Sequence, residues 1–200
     1  SMLICIKYAR KVKSDVASSI VKCFVFAIIT ILCNGLFAFS KNETFSYLME
    51  TGYLFSIDMV LIYILEYTQQ YTGVFREISF IRNGCFIIAY LDGIALFLSA
   101  IFQNEYTLEK VYYMNFQMYH IVEKNLLYYL HYVFAYCMVV CIVASFIVKI
   151  RKVPYFYRKK YSPILVVMCV IIAINFICDV SGFPIDLSLP FFSFAAILIC

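Results

Sequence analysis

Long apolar runs broken by short polar links divide this chain. The runs cover residues 16–40, 45–67, 81–102, 126–148 and 162–178, and a last one, from residue 188, is still apolar at Cys200. An α-helix rises about 1.5 Å per residue and the hydrocarbon layer of a bilayer is about 30 Å thick, so such runs predict spanning helices. The fold class expected is therefore all-α, a polytopic membrane helix bundle with six spans in one domain over residues 1–200. The final span is expected to continue past Cys200. Residues 2–6 form an apolar scrap too short to span. Residues 103–124 mix aromatics with charge and predict an amphipathic cap at the membrane surface, either a hairpin or a short helix, because the alternation is too irregular to choose. Ser162 and Pro163 read as the cap and first turn of the fifth span.

Composition agrees with lipid as the solvent. Apolar residues make up 64% and charged residues 14% of the 200, against roughly half and a quarter in ordinary globular chains. The net charge of +4 does not imply nucleic-acid binding, because the basic residues sit in blocks between apolar runs. With the start of the chain inside the cell, Lys7, Arg10, Lys11, Lys13, Arg76, Arg82, Lys149, Arg151, Lys152, Arg158, Lys159 and Lys160 fall on the cytoplasmic side and only Lys41, Lys110 and Lys124 outside. That asymmetry predicts cytoplasmic basic loops. Lys22 lies near the inner end of its span, within reach of the interface. Of the nine cysteines, eight fall inside apolar runs and read as small hydrophobes rather than a disulfide framework.

Candidate chemistry is carried by polar residues at membrane depth. Asp58 and Asp92 sit near the middle of the second and third spans, where a carboxyl group is costly unless it faces the bundle interior, pairs, or is protonated. Helical spacing puts Asp58 on one face with Thr51, Leu65 and Gln69, and Asp92 with Cys85, Ser99 and Gln103. No basic residue is expected at their depth. The pair reads either as a ligand, cation or proton site or as glue between helices. Towards the outer end lie Asn34, Glu50, His131, Tyr132, Asn175 and Asp179, with Tyr136 deeper and Asp186 in the turn before the last span, where it serves either a site or a helix cap. Asn175 and Asp179 are one turn apart and can face one cavity. His131 and the tyrosines around it line an aromatic pocket or form an interfacial belt. His120, Glu123 and His131 have no dependable metal spacing, so neither metal nor cofactor is expected. No catalytic motif is present, and six glycines leave no phosphate-cradling loop.

Two segments then look familiar together. Residues 63–68, YILEYT, resemble the close of a helix in the N-terminal seven-helix sensor region of bacterial histidine kinases. Asn175, Gly182 and Pro184, followed by Asp186, Leu187, Ser188 and Pro190, are similar to that family's asparagine-bearing sixth helix and the turn before its last. Here Tyr63 stands for the family's phenylalanine, Ser188 for its threonine, and Leu189 intervenes before the proline. The resemblance implies that the six spans are helices two to seven of seven and that an output domain, a histidine kinase or a GGDEF diguanylate cyclase, follows in the cytoplasm. It also implies a bacterial plasma-membrane location and a homodimer. This region would not itself be an enzyme. Asp58, Asp92, Asn175, Asp179, Asp186, His131 and Tyr136 would be the candidates for binding an unidentified small-molecule or lipid ligand. The rival is a six-helix small-molecule transporter or substrate-binding membrane subunit, for which paired Gly or Pro interruptions and an internal repeat would speak; neither is visible.

Overall fold

The computed structural model describes residues 6–7, 15–74, 79–102, 106–113 and 116–181. Five helices and one hairpin follow in order: α1 (Asp15–Phe39), α2 (Glu43–Thr72), α3 (Ser79–Phe102), β1 (Tyr106–Tyr113), β2 (Phe116–Lys124), α4 (Leu126–Lys152) and α5 (Tyr155–Ser181). All five helices are long and apolar enough to cross a membrane. Their surfaces suit lipid: Ile87, Leu91, Ile94 and Leu98 form one exposed stripe along α3, and Leu130, Val133 and Val140 are exposed on α4. Apolar patches of that extent do not face water in a monomeric soluble protein. The sixth span expected from residue 188 lies outside the described residues.

The bundle is built around α2. More than half of its most apolar stretch is buried, 56%, against 33% for α1, 22% for α3 and α4, and none for α5. At about 1.5 Å per residue its 30 residues extend about 45 Å. Asn42 starts it, its Oδ1 accepting from the Phe45 amide at 3.1 Å, the usual way to occupy an orphan donor in the first turn. Gly73 ends it with φ +69°, its N–H reaching the Gln69 carbonyl at 2.9 Å, a conformation open to glycine at no steric cost. Gln69 and Gln70 are therefore helical rather than part of a link after residue 67, and Gln70 accepts from the Ser19 hydroxyl of α1 at 3.3 Å. Three hydroxyls inside the bundle bond back to their own helix, Thr30 to the Phe26 carbonyl at 2.8 Å, Thr72 to Thr68 at 2.7 Å and Ser145 to Cys141 at 2.8 Å, which satisfies them where water is excluded.

Residues 106–124 depart from an all-α fold. β1 and β2 pair antiparallel, Tyr106 opposite Lys124 and Tyr113 opposite Phe116, with an irregularity between Thr107 and Leu108. Residues 103–105 and the two between the strands lie outside the described residues. Leu108 and Ile121 pack on a cluster of Tyr47, Tyr53, Leu54, Leu96, Ala100 and Tyr128, and the Leu108 amide donates to the Tyr47 hydroxyl at 3.3 Å. The hairpin thus marks one end of the bundle; Lys149, Arg151 and Lys152, in the last turn of α4, mark the opposite, basic end.

At the basic end α5 begins at Tyr155, so residues 158–160 are helical and Pro163 lies inside the helix, not in its first turn. A proline there removes one amide donor to the Lys159 carbonyl. Lys159 is exposed, so water can replace the missing donor. Tyr161 anchors the turn, edge-on to Tyr71 at 5.4 Å and with Lys149 Nζ 5.8 Å from its ring centroid. Lys22 lies over Tyr63 at 5.4 Å, which keeps its charge against an aromatic face.

Candidate functional site

Three helices bring one polar residue each to the same level. Asp58 is the sixteenth residue of α2 and His131 the sixth of α4, so with about 1.5 Å per residue α4 begins about 15 Å deeper than α2. The hairpin, packed beside the first turns of α2, fills the space that the later start leaves. This stagger corrects the expectation that no basic residue shares the depth of the two acids: His131 lies between them, not towards the outer end. Its Nδ1 is 2.7 Å from Asp92 Oδ2 and 3.5 Å from Asp58 Oδ2. The acid-bearing helices are held close by Gly93, the neighbour of Asp92: a Cβ built there would stand 2.7 Å from Phe55 Cε2 on α2.

Apolar layers close this polar one on both sides. Towards the hairpin lies the Tyr47, Leu54, Leu96 and Tyr128 cluster; towards the basic end Met59, Ile62, Ala89 and Met138 pack together with Phe55 and Phe134. Side-chain exposure is 0% for Asp58, 2% for His131 and 19% for Asp92. With so little water nearby, charges act on one another far more strongly than at a surface. The short contact makes His131 Nδ1–H the donor to Asp92, a charge-assisted hydrogen bond. Asp58 is less well served: neither carboxylate oxygen accepts a hydrogen bond.

A cavity of about 230 Å³ opens beside this cluster. Its walls come from α1 (Phe24, Ala27), α2 (Leu54, Ile57, Leu61), α4 (Ala135, Val139) and α5 (Met168, Ile171), and its polar lining includes Thr30, Thr68, His131, Tyr136 and Asn175. The Tyr136 hydroxyl donates to Asn175 Oδ1 at 3.5 Å across α4 and α5. His131 is thus the one residue that belongs both to the acid cluster and to the cavity wall.

No family model and no curated protein matches this chain. The function must be argued from the site.

Of the predicted site residues, Asp58, Asp92 and His131 meet in one cluster, and Tyr136 and Asn175 meet on the cavity wall next to it. Asp179 belongs to the backbone of α5, with its side chain outside the described residues, and Asp186 lies outside them altogether. The inward stripe on α2 is as spaced, Thr51, Asp58, Leu65 and Gln69 all being buried, and Ser99 is buried on α3. Sequence reasoning missed the pairing of both acids with His131. A signal existed: the chain has two histidines, and this one falls inside an apolar run, on the helical stripe that carries Tyr128 and Met138 inward. The Arg82–Glu66 pair at 3.4 Å, between α3 and α2, was likewise unforeseen.

Proposed function

We propose that the chain is the membrane-embedded sensory input domain of a bacterial signal-transduction protein, a histidine kinase or a diguanylate cyclase, with basic loops in the cytoplasm and the hairpin outside. The reading rests on one observation, an apolar cavity between four helices that reaches a buried polar cluster. It is larger than the roughly 150 Å³ cavity that takes up benzene, so a small apolar molecule with one polar end fits: its body against Phe24, Leu61 and Met168, its polar end on Tyr136, Asn175 or His131. Such a ligand touches α5, the least buried helix, and α2, the most buried. If it binds better in one packing of these helices than in another, it shifts their populations, and the displaced helix carries the signal towards the cytoplasm. The protomer acts as a homodimer in this reading, as paired output domains require.

The transporter reading draws on the same cluster, because coupling ions in transporters bind about midway along the helices. The coding sequence downstream of Cys200 separates the two. An in-frame linker helix followed by a kinase or GGDEF domain is the expected result; a stop codon soon after the last span overturns the sensory role.

A further inference from the structure

The cluster of Asp58, Asp92 and His131 is not used by an apolar ligand except through the His131 edge, and it leaves chemistry unexplained. One nitrogen and two carboxylate oxygens, from three different helices, all lie within 4.8 Å of one another. The Asp58 carboxylate is fully buried, aims at this point, and accepts no hydrogen bond. Its one charged neighbour, His131 Nδ1, stands 3.5 Å away and is already hydrogen-bonded to Asp92, and a buried carboxylate so weakly paired is costly.

We infer that Asp58, Asp92 and His131 form the binding site of one divalent first-row transition-metal ion, zinc by preference. Metal–ligand bonds of about 2.0–2.2 Å place the atoms of a tetrahedral shell about 3.4 Å apart. The His131 Nδ1 to Asp58 Oδ2 distance is 3.5 Å, already that of a shell with the ion between them. His131 Nδ1 to Asp92 Oδ2 is 2.7 Å, which must open by about 0.7 Å to reach the spacing of such a shell. Asp92 is the member with freedom to move, at 19% exposure. Binding the ion through Nδ1 releases the proton that Nδ1 otherwise donates to Asp92, and the two carboxylates with the neutral imidazole then carry a charge of −2, which a divalent ion cancels inside a low-dielectric bundle. The imidazole selects against magnesium and calcium, which take oxygen ligands, and the mixed nitrogen and oxygen set suits zinc, cobalt, nickel or iron.

Three protein ligands leave a fourth position open. His131 lines the cavity, so that position is reached from the cavity side, and a water or the polar end of a bound molecule would complete the shell. The site requires three side chains and not the sensory role; a stop codon after the last span would leave it standing.

The test uses the intact protein in lipid nanodiscs, freed of metal by chelator, and Co²⁺ alone as the probe. One equivalent of Co²⁺ per chain is expected, with tetrahedral-type ligand-field bands in the visible, displaced by Zn²⁺ and without the charge-transfer absorption of thiolate ligands. Asp58→Asn, expected to fold, and His131→Gln should each weaken Co²⁺ binding by at least about tenfold. Removing the exposed pair Cys137 and Cys141 as serines should leave it unchanged. No uptake by the unmodified protein, thiolate absorption in the bound spectrum, or equal binding by folded Asp58→Asn overturns the assignment.

Discussion

Removing His131 should cost far more than removing Asp58, although both are buried in the same cluster. In His131→Leu the two carboxylates remain, with oxygens less than 4.8 Å apart, no donor between them and almost no water. Breaking a buried ionic pair by deleting one partner costs about 3–5 kcal/mol. Asp58→Asn is different in kind. It leaves the 2.7 Å contact of His131 with Asp92 intact and gives up only the longer, 3.5 Å contact of His131 with a carboxylate that accepts no hydrogen bond, a change of about 1 kcal/mol. For chains of about 150–250 residues 1 kcal/mol moves the melting temperature by about 2–4 °C, so His131→Leu should melt about 6–20 °C lower and Asp58→Asn within about 4 °C of the parent. The assay is loss of helicity by circular dichroism on heating in one detergent, with chelator present so that no ion contributes. If Asp58→Asn is as damaging as His131→Leu, Asp58 is a structural partner after all, and both the pairing scheme and the cation site argued from it are refuted.

Gly93→Leu should drive a side chain into Phe55 and part α3 from α2, at a cost of about 1–3 kcal/mol; Phe55→Ala in the same chain should recover a good part of it, measured as a double-mutant cycle. Ala135→Phe projects a ring into the cavity and should abolish uptake of a small apolar probe such as benzene, followed by ligand-induced thermal shift, while the parent shows the shift. Thr107→Cys on the hairpin, where the side chain is exposed, should react with an impermeant maleimide in intact cells, and Arg151→Cys at the basic end only after lysis. The opposite pattern inverts the threading proposed above.

Much of the architecture was legible because hydropathy measures length along the chain. Five of the expected spans each overlap a described helix, and the two acids stood out as misfits on α2 and α3. Hydropathy does not measure level, and that is where reading stopped. Nothing in the run of residues 126–148 says that its first turn sits about eight residues deeper than that of residues 45–67, because the cause is a hairpin that wedges against Tyr47 and Tyr128. The start of α5 was misread for a related reason. Ser162 and Pro163 carry a valid start signal, but packing of Tyr161 on Tyr71, a contact 90 residues apart in sequence, extends the helix back through the basic residues. Local chemistry lost to tertiary contact there.

Asp58 is the residue on which structure and function bear most directly. It lies at the centre of the most buried helix, between two apolar layers, and folding gains little from its charge: neither oxygen accepts a hydrogen bond, and its one charged partner, His131 Nδ1, is 3.5 Å away and engaged by Asp92. A group that the fold carries at a cost is one whose role lies in another state of the molecule, one in which a cation occupies the point where Asp58, Asp92 and His131 converge. Such an ion would tie α2, α3 and α4 together at one level. The cavity beside His131 touches two of those helices, so occupation of the cavity and of the ion site would each bias the same packing, and each would alter the affinity of the other by the same factor.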